Sequence, residues 1–169
     1  MRHATFLLPL SLLLAGCPAP TDPDLDKPCG ARRAATLQVG TGASQFEAVG
    51  AAGVPIQTGP QGGNHIWIGV ECQGLGPNLV MSYGIKELST GTDVTGTLES
   101  VVPLQYDQAS DTDQAAGIYG YFALTPTDAI MTPSQLVGHE VLLWADGNDT
   151  CVKTPLHSEV KTTVTGFAN

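Results

Sequence analysis

The sequence predicts an all-β domain, specifically an immunoglobulin-like antiparallel β-sandwich of about seven strands. Three observations point there. Glycine is abundant, 20 of 169 residues, among many threonines and valines and with hardly any helical periodicity. The stretch "HIWIGVECQG" alternates strictly: Ile66, Ile68, Val70 and Cys72 face one way, and His65, Trp67, Gly69 and Glu71 the other. That is the period of a strand with one buried face. Turn residues recur at intervals of roughly 8–12 residues, the spacing of a strand-rich sandwich.

The chain starts with a leader. Arg2 and His3 are basic, and Phe6 to Leu14 is apolar apart from Ser11 and contains Pro9. That run is too short to span a bilayer as a mature helix, and its pattern is that of a secretory signal. Leu14-Ala15-Gly16-Cys17 resembles the lipobox of bacterial lipoproteins, in which the cut falls before the cysteine. The resemblance implies a thioether-linked diacylglycerol on Cys17, usually with a third chain on the new amino group. Each buried methylene is worth roughly 0.8 kcal/mol, so two or three acyl chains anchor stably where one does not. In enteric bacteria an Asp after that cysteine signals inner-membrane retention. Pro18 is not that signal, so the resemblance implies the outer membrane. The chain then divides into a signal peptide (1–16), a lipidated Pro/Asp-rich tether (17–30) and a β-sandwich domain (31–169). "PAPTDPDLDKP" has no hydrophobic periodicity, and its prolines favour a semi-rigid spacer.

Within the domain, "ATLQVGTG" and "SQFEAVG" read as short first strands, followed by "VPIQT", the turn "GPQGGN" and the alternating strand. "LGPN" is a turn, after which "LVMSYGIKEL" returns as the antiparallel partner. Further strands are predicted at Val94–Pro103 and Ile118–Leu124, with a single helical turn in "TPSQLVG". "HEVLLWADGNDTCVKT" reads as a hairpin turning at Asp146-Gly147-Asn148-Asp149, and "SEVKTTVTG" continues the last strand.

Charge narrows the partners. The chain carries 7 basic and 16 acidic residues. Losing residues 1–16 removes Arg2 and no acid, which takes the net charge from −9 to −10 before the termini. Phosphate neutralisation needs clustered Lys and Arg, so nucleic acid and anionic headgroups are excluded as partners bound through charge. With Cys17 acylated, Cys29, Cys72 and Cys151 remain, an odd number in a disulfide-permissive compartment. A Cys72–Cys151 bond is preferred, because both lie within predicted strands near turns, with Cys29 as the alternative partner of either.

No catalytic constellation emerges. His139-Glu140 has no second histidine at zincin spacing, "GPQGGN" lacks the Lys-Ser/Thr of a phosphate loop, and there is no Gly-x-Ser-x-Gly. "CVKTPLH" resembles the ligand loop of blue-copper cupredoxins, which implies Cys151, His157 and an earlier histidine, His65, as metal ligands. It departs from that pattern, since the Cys–His spacing is one residue longer and no methionine follows His157. His65, Trp67 and Glu71 instead suggest a surface on which a sugar or peptide stacks. The competing reading has Trp67 covered by the following strands or by the glycine-rich loop, and His65 hydrogen-bonded locally.

"LQVGTGASQFEAV", "GPQGGNHIWIGV" and "LVGHEVLLWADGND" together resemble a group of uncharacterised lipoproteins from soil-dwelling bacteria such as myxobacteria. The resemblance covers most of the mature chain and implies no activity. The sequence thus leads us to expect a lipid-anchored envelope protein that binds or supports without catalysis and needs no cofactor. Its partner is the membrane through Cys17, with an unidentified protein or glycan. A copper electron carrier is the alternative.

Overall fold

The computed structural model describes residues 21–168; the predicted signal peptide and the predicted lipidation at Cys17 lie outside them. The described chain is all-β, with nine strands in place of the seven expected: β1 (Thr36–Gly40), β2 (Val54–Thr58), β3 (Asn64–Gln73), β4 (Asn78–Glu87), β5 (Leu98–Pro103), β6 (Gln105–Asp107), β7 (Thr112–Tyr121), β8 (Glu140–Asn148) and β9 (Leu156–Phe167). Single 3₁₀ turns occupy Cys29–Ala31 and Pro133–Leu136, the second within the predicted "TPSQLVG". The strands form one path, β5-β4-β8-β9-β2-β3-β7-β6, with β1 added on β3. Every pairing is antiparallel except β2 with β9. The path curls until β5 lies against β7, giving a nearly closed barrel.

Alternation decides the core. Ile66, Ile68, Val70 and Cys72 of β3 are buried as predicted, and Leu79, Met81, Tyr83 and Ile85 of β4 face them with Val141, Leu143 and Ala145 of β8. Each fully buried Ile, Leu or Met contributes roughly 1.5–3 kcal/mol relative to exposure. The predicted β3–β4 hairpin does not form. One edge of β3 is taken by β7, and the other by β1 and β2 in succession. β4 therefore crosses to the opposite wall and pairs with β5 and β8. Leu75, fully buried, fills the crossing.

Three further expectations are corrected. "SQFEAVG" is not a strand and keeps only a Thr41–Glu47 bridge. Its Phe46 ring lies over Gly40, where a β-carbon would come within 2.5 Å of the ring. Asp146-Gly147-Asn148 is not a turn, because β8 runs through Asn148 and the chain reverses over residues 149–155. There Asp149 Oδ1 accepts the amides of Cys151 and Val152 at 2.8 and 2.6 Å. Finally, the described part of the tether is docked on the barrel. Asp24 is fully buried, accepting from Lys27 Nζ at 2.9 Å and from Arg33 Nε at 2.5 Å. Arg33 also pairs with Asp22 and Asp111, and Arg32 with Asp149. A spacer read from prolines becomes a clasp because Asp22 and Asp24 meet Arg33, about ten residues further on, which also pairs with Asp111.

Candidate functional site

Two features stand at opposite ends of the β3–β7 ladder, which runs from the His65–Tyr121 pair to the Cys72–Asp113 pair. Seven residue steps along β3 separate the two pairs, roughly 23 Å of strand.

The His65–Tyr121 end is aromatic. Period 2 places His65 and Trp67 on the outer face of β3, and antiparallel register brings Tyr121 and Tyr119 of β7 beside them. His65 meets Trp67, Tyr119 and Tyr121 edge-on, at centroid distances of 4.4, 4.8 and 5.6 Å. Tyr119 and Tyr121 stack in parallel, 4.8 Å apart with 4° between their planes. Both stay open to solvent, at 41% and 48% exposure, whereas Trp67 is half-buried. The Gly59–Gly63 loop borders the tyrosines and encloses a cleft of about 410 Å³ lined by Gly59, Pro60, Gln61, Gly63, Tyr119 and Tyr121. Gly62, at φ +80°, lets the loop close on itself: the Gly59 amide donates to the Gly63 carbonyl, and the Gly62 amide to the Gly59 carbonyl.

His65 departs from both sequence readings. It is 2% exposed, beneath the rings and the loop, and neither ring nitrogen has a hydrogen-bond partner. Burial holds its pKa below the ordinary imidazole value, so the ring is neutral at pH 7. Edge-to-face contact with three aromatic neighbours is the interaction left to its N–H group. The loop covers His65 and reaches Tyr121, while the indole of Trp67 packs against Tyr119 of the following strand β7, the other cover the competing reading allowed. Glu71 does not join this group. It lies toward the other end of β3 and accepts from Thr112 Oγ1 at 3.0 Å and Gln114 Nε2 at 3.2 Å. The two tyrosines were missed because "GIYGYF" offers them only as alternate residues of a strand; the register with β3 brings them beside His65 and Trp67.

The Cys72–Asp113 end is ionic. Asp113 is 5% exposed and its Oδ2 lacks a donor. Burial, then the neighbouring Asp22, raises its pKa to about 6. Asp24, by contrast, is held down at about 2: burial pushes its pKa up, but the Arg33 and Lys27 hydrogen bonds overcome it. Cys29 and Cys151 are joined as a disulfide with Cα atoms 5.2 Å apart, which corrects the preferred Cys72–Cys151 pairing in favour of the alternative. Cys72 is free and buried. It belongs to the inward row of β3, so its sulfur faces the core. Burial, then Asp113 and Glu71, pushes its thiol up to about 12, leaving it unreactive.

The copper alternative fails on the same bond, since Cys151 has no thiolate to give. His157 is occupied elsewhere, its Nδ1 2.8 Å from Asp146 and its Nε2 3.4 Å from Glu159. Those carboxylates raise its pKa. His65 is sealed under aromatic rings. Among the described residues no three His, Cys, Asp or Glu side chains are grouped to hold a metal.

At the far end of β4, Glu87 is fully buried and accepts from Ser89, Thr90 and His139. Those donors hold its pKa well below the carboxylate range despite burial. The carboxylate organises the 87–92 turn, and Ser89 donates to it rather than to His139, so no nucleophile–base pair forms. No protein-family model matches the chain, and no curated protein matches it.

Proposed function

We propose that this chain is a lipid-anchored protein of the bacterial cell envelope, held in the outer membrane through Cys17, with a non-catalytic binding role. Its ligand sits in the cleft between the Gly59–Gly63 loop and Tyr119/Tyr121. The observation that carries the reading is the exposed, parallel tyrosine pair beside a self-bonded loop. Two large rings left open next to a cleft are a binding surface by the ordinary economy of folding. Its two antiparallel walls, joined where β2 meets β9, support reading the barrel as a closed variant of an immunoglobulin-like sandwich.

The clasp gives the anchor an orientation. Four residue steps separate Cys17 from Thr21, at most roughly 14 Å of extended chain. With Cys17 acylated, the Cys72–Asp113 end is held close to the bilayer and the aromatic cleft is presented away from it.

Two arms test this. Cys17→Ser expressed in a Gram-negative host leaves the chain unlabelled by radioactive palmitate and releases it from the membrane fraction; retained label overturns the anchor. A photo-reactive diazirine amino acid at Gln61 forms ligand adducts in intact cells, and the same group at Lys27, on the clasp, does not. Equal yields at both positions remove the cleft as the binding site.

A further inference from the structure

We infer that the cleft takes a neutral saccharide, one or two of whose rings lie against Tyr119 and Tyr121. This rests on the binding role proposed above and names the class of ligand.

The lining decides the charge of the ligand. The chain carries 23 Lys, Arg, Asp and Glu side chains, yet the cleft is bordered by Gly59, Pro60, Gln61, Gly63, Tyr119 and Tyr121. Among the described residues the lining holds no Lys, Arg, Asp or Glu side chain. There is no cation to recognise a carboxylate, sulfate or phosphate, and an anion would approach a chain of net charge −9. There is no carboxylate in the lining to select a cationic ligand.

The shape decides the rest. A cleft of about 410 Å³ lies in the range of small-ligand sites. The two rings are flat, parallel and half open. A pyranose presents one face of C–H bonds, which packs on an aromatic face, and a rim of hydroxyls, which needs donors and acceptors at the edge. The phenols and the exposed Gln61 amide supply both. A purely apolar ligand that covered that amide would displace its water and offer no partner in return.

The site is fixed before binding. The loop closes through its own two backbone hydrogen bonds. The rings are braced by His65, 2% exposed and unpartnered at both nitrogens. A preformed platform loses little conformational entropy on binding, which is what a weak, stacking-dominated ligand requires.

The test uses the full chain purified in detergent with Trp144→Phe, so that Trp67, in contact with Tyr119 at 4.6 Å, is the remaining indole. Cellotetraose and the N-acetylglucosamine tetramer are titrated, with tetragalacturonate as the anionic control and decaproline as the competing stacking ligand. At least one neutral tetramer shifts Trp67 emission saturably. Tyr119→Ala and Tyr121→Ala each weaken that binding about tenfold, while Tyr121→Phe retains most of it. Gln61→Ala, in the exposed loop, weakens it severalfold in a fold left intact. The inference is overturned if neither neutral tetramer gives a saturable shift, if tetragalacturonate or decaproline binds in their place, or if the alanine variants bind equally well. Adducts at Gln61 with no saccharide response remove the saccharide and leave the binding role; absence of both removes both.

Discussion

At the Cys72–Asp113 end of the β3–β7 ladder, a disulfide and the ion pairs of Arg32 and Arg33 hold residues 21–33 against the barrel. At the His65–Tyr121 end of the same ladder, four aromatic rings and a glycine loop meet with no charged side chain in the cleft lining. The first end buries its chemically active groups and satisfies most of them. The second leaves large rings in water beside a histidine without a partner. Stability is concentrated at one end and the proposed recognition at the other, so substitutions at the two ends should separate cleanly into loss of fold and loss of ligand.

The largest effect belongs to the disulfide. Cys29 and Cys151 are 122 residues apart, and closing so long a loop contributes about 4–5 kcal/mol in the chain-entropy account. Cys29→Ser or Cys151→Ser lowers the denaturant midpoint accordingly, and a reducing agent reproduces the loss in the wild type. Cys72→Ala leaves the sensitivity to reductant unchanged. If Cys72→Ala abolishes that sensitivity instead, the pairing described here is wrong.

Next comes the ion pair beneath it. Arg33→Ala leaves Asp24 buried without its main partner, a change worth about 3 kcal/mol, the lower part of the range because Arg33 keeps solvent contact. The Asp24→Asn/Arg33→Ala double variant recovers part of that loss. Equal midpoints for the single and double variants would show that the pair does not hold the clasp.

A third measurement uses pH, because the two buried aspartates titrate in opposite senses. The folded pKa of Asp113 is raised to about 6. Its contribution is therefore complete below the unfolded value near 4 and is lost as pH rises through about 6. Asp24 is depressed to about 2, so its contribution is complete above about pH 4 and is lost as pH falls toward 2. The clasp is most stable around pH 4–5. Asp113→Asn has little effect at pH 4.5 but stabilises by up to about 3 kcal/mol at pH 8, since its amide donates to Asp22 where the carboxylate repelled it. Urea midpoints at the two pH values decide it, and a destabilised variant at pH 8 would contradict the assignment.

The smallest effect on the fold lies at the aromatic end. Tyr119→Ala and Tyr121→Ala remove half-exposed rings and cost less than about 1 kcal/mol each, while binding of the proposed ligand weakens about tenfold. Thermal midpoints lowered as far as those of Arg33→Ala would make the tyrosines part of the core and blur the contrast between the two ends.

Much of this contrast was legible in part. Period-2 alternation placed Ile66, Ile68 and Val70 inside and put His65 and Trp67 on the other face, and the structure keeps that register. The same alternation had already placed Cys72 in the inward row, a signal against the disulfide preferred from strand and turn positions. Tyr119 and Tyr121 stood in plain view, but nothing local says which strand lies beside β7. The clasp was read as a spacer because proline content speaks for the isolated segment and is silent on the arginines that fold back to it.

What the sequence by itself determined is what depends on near neighbours along the chain: the all-β class, the inward and outward faces of the strands, an acidic composition, and the contiguous Leu14-Ala15-Gly16-Cys17 motif on which the proposed anchor rests. These follow from side-chain period, composition and a contiguous motif. Only the tertiary structure decided strand order, disulfide partner, the opposed titrations of Asp24 and Asp113, and the meeting of His65, Trp67, Tyr119 and Tyr121. Each of those joins residues far apart in the chain, from 9 positions between Asp24 and Arg33 to 122 between the bonded cysteines. Their energies arise from burial and contact in space, for which no pattern of adjacent residues is a substitute.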